Sequence, residues 1–245
     1  MSGFEYAPQT ARQAPSMALD AGLRSYMLGI YNKMSLGLAL SAAIAWAVGS
    51  VPALSSMVFG TPLRYVVMFG PLALLLVAAF AMRRPSPLAA NLLYWSVTTL
   101  IGASLGAWVL AANLGAGAGF LTIAKAFFIT AGAFGALSLW GYTTRRDLSA
   151  MGTVLVMGVV GLVLASIANL FFQSSLLGFI ISLVGVAVFS ALTAFDTQRL
   201  KHEYYVLEAG GREMAAATSL GALSLYLNFV NLFQFILSIL STRQE

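Results

Sequence analysis

Cysteine is absent from the 245-residue chain, and histidine occurs once, as His202. Disulfides and thiolate metal sites are thereby excluded, and zinc or haem ligation loses its usual donors. Charge is equally scarce. Asp, Glu, Lys and Arg make up 9% of the residues, against roughly 25% in an average soluble domain. So few charges cannot cover a water-soluble protein of this size, so the bulk solvent must be lipid. What is abundant is apolar surface, with 60% hydrophobic residues. The net charge of +5 makes no case for nucleic acid, because in a membrane protein the positions of charges matter more than their sum. Residues 1–24 are polar and lack the apolar core of a secretory signal, so the first spanning helix is expected to direct insertion itself.

A span needs about 20 predominantly apolar residues. That ruler predicts seven helices, near 30–52, 62–82, 87–112, 119–141, 148–171, 175–197 and 215–240. Thr61-Pro62 and Ser86-Pro87 each set a cap residue before a proline at the first helical position, and Asp147 can cap the fifth helix. The connections NLGAGAG (113–119) and QSS (173–175) leave no room for a soluble domain. The expected organisation is a cytoplasmic tail over 1–24 and one transmembrane domain over 25–245.

Orientation follows the basic residues. Arg12, Arg24, Arg83, Arg84, Arg145, Arg146, Arg199, Lys201 and Arg212 fall on one side of a seven-helix count. Arg64 and Arg243 fall on the other, while Lys33 and Lys125 lie near or within spans. The crowded side is read as cytoplasmic, which places the N-terminus inside. Compact loops and no targeting peptide point to a bacterial inner membrane. A last helix that re-entered instead of crossing would return Arg243 to the crowded side.

Within this frame one carboxylate stands out. Asp196 ends the apolar run in LTAFDTQRLKHEYY (192–205), with Arg199 and Lys201 just behind it. On the sixth predicted span, Gly178, Ser182, Gly185, Phe189, Thr193 and Asp196 recur at spacings of three and four and share one face. Small residues there permit close helix approach. Asp196 has two readings: it reaches the headgroups and pairs with Arg199 or Lys201, or it faces the bundle interior as a functional acid. On the seventh span Ser224, Asn228, Asn231 and Ser238 form a matching stripe, with Gln234 at its margin. Amides left facing lipid would stay unpaired, which is unfavourable by several kcal/mol each. They are expected to point inward, as hydrogen-bonding groups between helices or as the lining of an ion path.

Lys125 has a stem long enough to snorkel to the interface. Gly70-Pro71 interrupts the second span and is a candidate hinge or a tolerated kink. Gly102 and Gly106 form a G-x-x-x-G packing pair. Catalytic motifs fail on context. GASLG (102–106) fits G-x-S-x-G, but Ser104 lies mid-helix, and His202 falls in the loop after the sixth span. GAGAG (115–119) lacks the flanking βαβ unit of a dinucleotide site. The chain is not expected to be an enzyme.

Four stretches together carry a resemblance: LRSYMLGIYNKMSLGLALS (23–41), FFITAGAFGALSLWGYTTRRDLSAMG (127–152), FDTQRLK (195–201) and LSLYLNFVNLF (223–233). In order and spacing they resemble the bacterial branch of the Bax inhibitor-1 family, the transmembrane Bax-inhibitor-motif proteins. The resemblance implies an all-α membrane protein of seven transmembrane helices, the last one central and surrounded by the other six. It also implies a calcium-leak or cation-channel activity governed by pH, in which aspartates on the sixth and seventh helices share a proton. Asp196 matches the first of these. The second falls on Asn228, where the family often carries aspartate. Two close carboxylates repel and raise one pKa toward neutrality, whereas an amide does not titrate. A weakened pH switch, or none near neutral pH, is therefore expected.

The expected function is passive flux of calcium or another cation. Asp196 would be the charged element of the path and a weak calcium ligand, with Asn228 and Asn231 as polar neighbours. Arg199 and Lys201 would be the partners that lock Asp196 when the path is closed. Calcium takes about six to eight oxygens, so one carboxylate aided by amide and backbone oxygens suits a permeation site better than a storage site. No cofactor is expected beyond calcium as the permeant ion, and the partners are the lipid bilayer and cations. The alternative is a non-conducting regulator that binds other membrane proteins, such as a quality-control protease, through small-residue helix faces. A proton-coupled carrier fits least, since inverted repeats with paired helix breaks are not visible.

Overall fold

The computed structural model describes residues 14–81, 85–207 and 212–242, and every regular element among them is helical. In chain order these are α1 (Ala14–Ser50), a short α2 (Pro52–Phe59), α3 (Leu63–Ala81), α4 (Pro87–Asn113) and α5 (Phe120–Thr143). A 3-10 turn (Ser149–Met151) then leads into α6 (Gly152–Phe172), followed by α7 (Ser175–Val206) and α8 (Arg212–Thr242). Among the described residues, all but α2, 7 helices, are long and apolar enough to cross a membrane. The α2 helix had no counterpart in the hydropathy reading because it is too short to register as a span.

The breaks fall where local chemistry ends or starts a helix. Ser86 accepts the Ala89 amide at 3.2 Å and caps α4 ahead of Pro87. Thr61 accepts the Leu63 amide at 3.2 Å while donating to the Met57 carbonyl at 2.7 Å, so it links α2 to α3 as well as capping. The turn between α4 and α5 rests on Gly115 and Gly117, whose φ values of +69° and +70° disfavour any side chain. Asp147 accepts the Ser149 amide at 2.9 Å and so starts the 3-10 turn rather than α6 itself.

Two boundaries differ from the sequence reading. α1 begins at Ala14, inside the stretch expected to be a tail, and α7 runs to Val206, well past the expected end at 197. Arg199, Lys201 and His202 are therefore helical rather than in a loop. In both places the helix outlasts the uninterrupted apolar run because one face stays packed. Leu23, Tyr26 and Met27 are buried on α1, and Leu200 and Tyr204 are buried on α7. Arg12, Arg83, Arg84, Arg243 and the side chain of Arg212, all used to read orientation, lie outside the described residues.

The helices sort by burial. In α8, 56% of the apolar window is buried, against 6% in α3. α8 packs closely on α1, α4, α5 and α7, while α3 joins the bundle through α4 and α6 joins through α7. The last helix therefore has the most buried apolar stretch of the spans and packs closely on four of them. Large apolar residues such as Phe80 and Phe171 face outward, as a lipid solvent allows. α3 is continuous helix through Gly70 and Pro71, with Gly70 set against Leu100 of α4. The glycine-proline pair is accommodated inside one helix.

The most extensive seam joins α1 to α4, and it depends on missing side chains. A Cβ on Gly102 would lie 2.7 Å from the Ser41 Cα and 3.0 Å from its carbonyl oxygen, and one on Gly106 would lie 2.9 Å from the Val48 Cβ. Gly102→Ala must therefore displace backbone and is expected to lower thermal stability in detergent by about 1–3 kcal/mol. Gly132→Ala is the control, because an added Cβ there meets nothing within 4 Å. Equal melting of the two variants would refute the close-approach argument.

Candidate functional site

The small-residue stripe of α7 lies along α8. Gly185 receives the Phe235 ring, 2.6 Å from where a Cβ would stand, and Ser182 donates to the Ser238 hydroxyl at 3.0 Å. At the end of this seam Asp196 turns into the bundle and is 6% exposed. Its Oδ2 accepts from the Ser224 hydroxyl and from the Asn228 amide, each at 2.7 Å. Its Oδ1 meets the Arg199 guanidinium at 2.9 Å, and the same guanidinium donates to Ser224 Oγ at 3.2 Å. Ser224 thus accepts from the cation and donates to the anion. Spacing explains the assembly: Arg199 stands three residues after Asp196 on α7, and Ser224 and Asn228 are one turn apart on α8.

Asn231 and Lys201, expected in the same group, bond elsewhere. Asn231 donates to the Leu227 carbonyl of its own helix at 2.8 Å. It lies about 4.5 Å further along α8 than Asn228, beyond reach of the carboxylate. Lys201 donates to the Tyr142 carbonyl at 3.0 Å and sits 5.1 Å from that ring. Five residues along a helix amount to about 140° of rotation from Asp196, which turns the lysine toward α5. Lys125 is exposed on α5.

Two groups were missed. Gln198 is buried, accepts the Leu148 amide at 2.8 Å and donates to the Arg146 carbonyl at 2.8 Å, clamping the α5–α6 connection to α7. It lies just past the sixth span expected from apolar length, where helical periodicity gives no signal. Lys33 donates to Asn91 Oδ1 at 2.6 Å and to Ser219 Oγ at 2.7 Å, tying α1 to α4 and α8. A lysine within a predicted span next to polar positions on two others was the available hint. On the same α5–α6 connection, hydrogen bonds from the Ser149 side chain and amide hold the exposed Asp147 carboxyl below the usual carboxylate range.

Among the described residues no group of three or more His, Asp or Glu gathers as a metal would require. Both Asp196 oxygens are engaged, Oδ1 by Arg199 and Oδ2 by Ser224 and Asn228.

Known proteins match the chain over nearly its full length. A family model described as inhibitor of apoptosis-promoting Bax1 matches residues 23–245. The chain is 49% identical over 249 residues to a protein of Caulobacter vibrioides, covering 98% of this chain and 97% of that one. It is 38% identical to a protein of Rickettsia prowazekii, covering 99% and 100%. It is 36% identical over 226 residues to the inner membrane protein YbhL of Escherichia coli, covering 91% and 94%.

The clamp is testable apart from function. Gln198→Ala leaves a buried amide and a carbonyl without their partner, and is expected to destabilise the protein by about 1–3 kcal/mol, with faster hydrogen exchange at the Leu148 amide. An unchanged exchange rate would remove the clamp. Asp147 acts in the opposite direction to a raised group. Because its folded-state pKa is depressed, its contribution is present at neutral pH and is lost as pH falls below the ordinary carboxylate range. Ser149 amide protection is expected to follow that acid transition, and Asp147→Asn to abolish it.

Proposed function

The chain belongs to the Bax inhibitor-1 family of integral membrane proteins, and on that premise we propose that it passes cations, calcium first among them, down their gradient. The observation that carries this reading is the buried Asp196 carboxylate, held at the α7–α8 seam by Ser224, Asn228 and Arg199. A charge at membrane depth is unfavourable even when paired, so a requirement for charge at that point accounts for its presence. Arg199 acts as a tethered cation. Its guanidinium holds Oδ1, where a permeating ion would bind, and the path is shut while it stays. Asn228 orients the carboxylate through a neutral donor, so the shared proton of a two-acid pair has no second home and pH gating is weak. Calcium binds loosely here, as permeation requires.

The end of the bundle that carries Arg24, Arg145, Arg146, Arg199 and Lys201 faces the cytoplasm in this reading, with the N-terminus on the same side. The inner-membrane relative in Escherichia coli supports a bacterial inner membrane as the location.

Proteoliposomes loaded with a calcium dye test the proposal. Arg199→Gln is expected to raise flux and Asp196→Ala to abolish it; equal flux from wild type and Asp196→Ala would exclude Asp196 from the mechanism. Asn228→Asp restores a second acid and is expected to make flux depend on pH between about pH 6 and 8. A flat flux–pH curve for that variant would count against the shared-proton argument. No flux from the wild type in a pure bilayer would move the protein to the class of non-conducting regulators.

A further inference from the structure

α1 and α5 each pack on α8, and the space between them is left as a cleft with Phe229 of α8 on its floor. The larger part is an open groove of about 650 Å³ that runs from Arg24 to Leu38 along α1. A second part of about 400 Å³ shares Leu38, Phe127 and Phe229 with it and continues toward the other end of the bundle. Trp46 of α1 and Phe120 of α5 meet there with ring centroids 5.6 Å apart, so the two walls come together at that end.

The cleft's chemistry is asymmetric. Its walls are mostly aliphatic and aromatic, but one end carries Arg24 and Tyr142, with Tyr31 about halfway along the α1 wall. Arg24 is exposed and enters no ion pair among the described residues. That end coincides with the Asp196 end of the bundle, because Lys201 on α7 donates to the Tyr142 carbonyl. Arg24 to Leu38 is about 21 Å of helix, close to half of the ~30 Å hydrocarbon core plus a headgroup. The dimensions suit a molecule with one leaflet-length apolar tail and an anionic head.

We propose that this cleft is a binding site for an anionic phospholipid, with an acyl chain laid between α1 and α5 and the phosphate held by Arg24. The occupant would rest on two walls of the polar cluster. Ser138 lines the cleft and accepts from Thr197, the residue after Asp196. Phe229 lines it and follows Asn228. This site is independent of whether the protein conducts.

The test is native mass spectrometry of the purified full chain in detergent, titrated with phosphatidylglycerol or phosphatidylcholine of identical chains. Wild type is expected to retain one phosphatidylglycerol with about fivefold preference, the value of one basic residue near a phosphate. Arg24→Gln is expected to abolish the preference. Gly135→Phe fills the cleft from its wall, where an added Cβ meets nothing within 4 Å, and is expected to lose the bound lipid. Equal retention of both lipids by wild type, or undiminished retention in Gly135→Phe, overturns the proposal. A lipid-free dimer that Gly135→Phe dissociates would assign the cleft to a second copy of the chain and overturn it as well.

Discussion

A carboxylate inside a lipid-solvated bundle has no bulk water around it, so its donors have to come from the helices that enclose it. Asp196 obtains two from α8, with Ser224 and Asn228 meeting the same oxygen at 2.7 Å. Two donors one turn apart on a rigid helix leave little freedom of rotation or depth. The register of α8 against α7 is therefore set at this point, and the rest of the seam agrees with it. The Phe235 ring fills the space over Gly185, and Ser238 meets Ser182. A slip of one residue would swing both donors away by about 100° and drive a ring into a helix backbone.

The same logic extends around α8, which carries a polar contact toward each of several neighbours. Ser219 accepts from Lys33 of α1, and Tyr226 shares a 2.6 Å hydrogen bond with Ser41, whose hydroxyl donates to the Thr98 carbonyl of α4. Hydrogen bonds of this kind contribute about 0.6 kcal/mol each on average, too little to hold a bundle together. Their effect is to choose one rotation of α8 among many that would bury a similar area. Cohesion comes from dispersion at close contacts, which the glycines of the α1–α4 seam and Gly141 against the Ala194 backbone make possible.

Much of this was legible in the residues. Span number followed from apolar length, and the paired stripes placed Asp196 and Asn228 on faces that could meet. Periodicity fixes which face of a helix a residue occupies, but it does not say which partner that face finds. Asn231 lies on the stripe with Asn228, yet it bonds to its own helix because the acid is a turn away. Lys201 is close to Asp196 in sequence, but five residues along a helix miss the i,i+3 and i,i+4 positions that meet, and it points toward α5. The helical extension to Val206 was hidden for a different reason. Apolar length measures the membrane, whereas the helix follows its packed face, and Leu200 and Tyr204 keep that face buried beyond the hydrocarbon run. Gln198 was lost with it.

The two partners of the ion pair have unequal surroundings, and that inequality decides which of them moves. The Asp196 side chain is 8% exposed and the Arg199 side chain 50% exposed. Withdrawing the arginine returns an already half-exposed cation to its surroundings but leaves the buried carboxylate to Ser224 and Asn228 alone, which is unfavourable for a charge inside the bundle. Withdrawing the aspartate would break two hydrogen bonds and leave the Asn228 amide without an acceptor in a buried site. The carboxylate with its α8 donors is thus the more firmly held partner, and the half-exposed guanidinium the less. An aspartate in place of Asn228 would alter this balance, because a second carboxylate beside Asp196 would have to be neutralised by a proton or held by the arginine. With an amide at that position, Arg199 faces a single carboxylate rather than a pair of like charges.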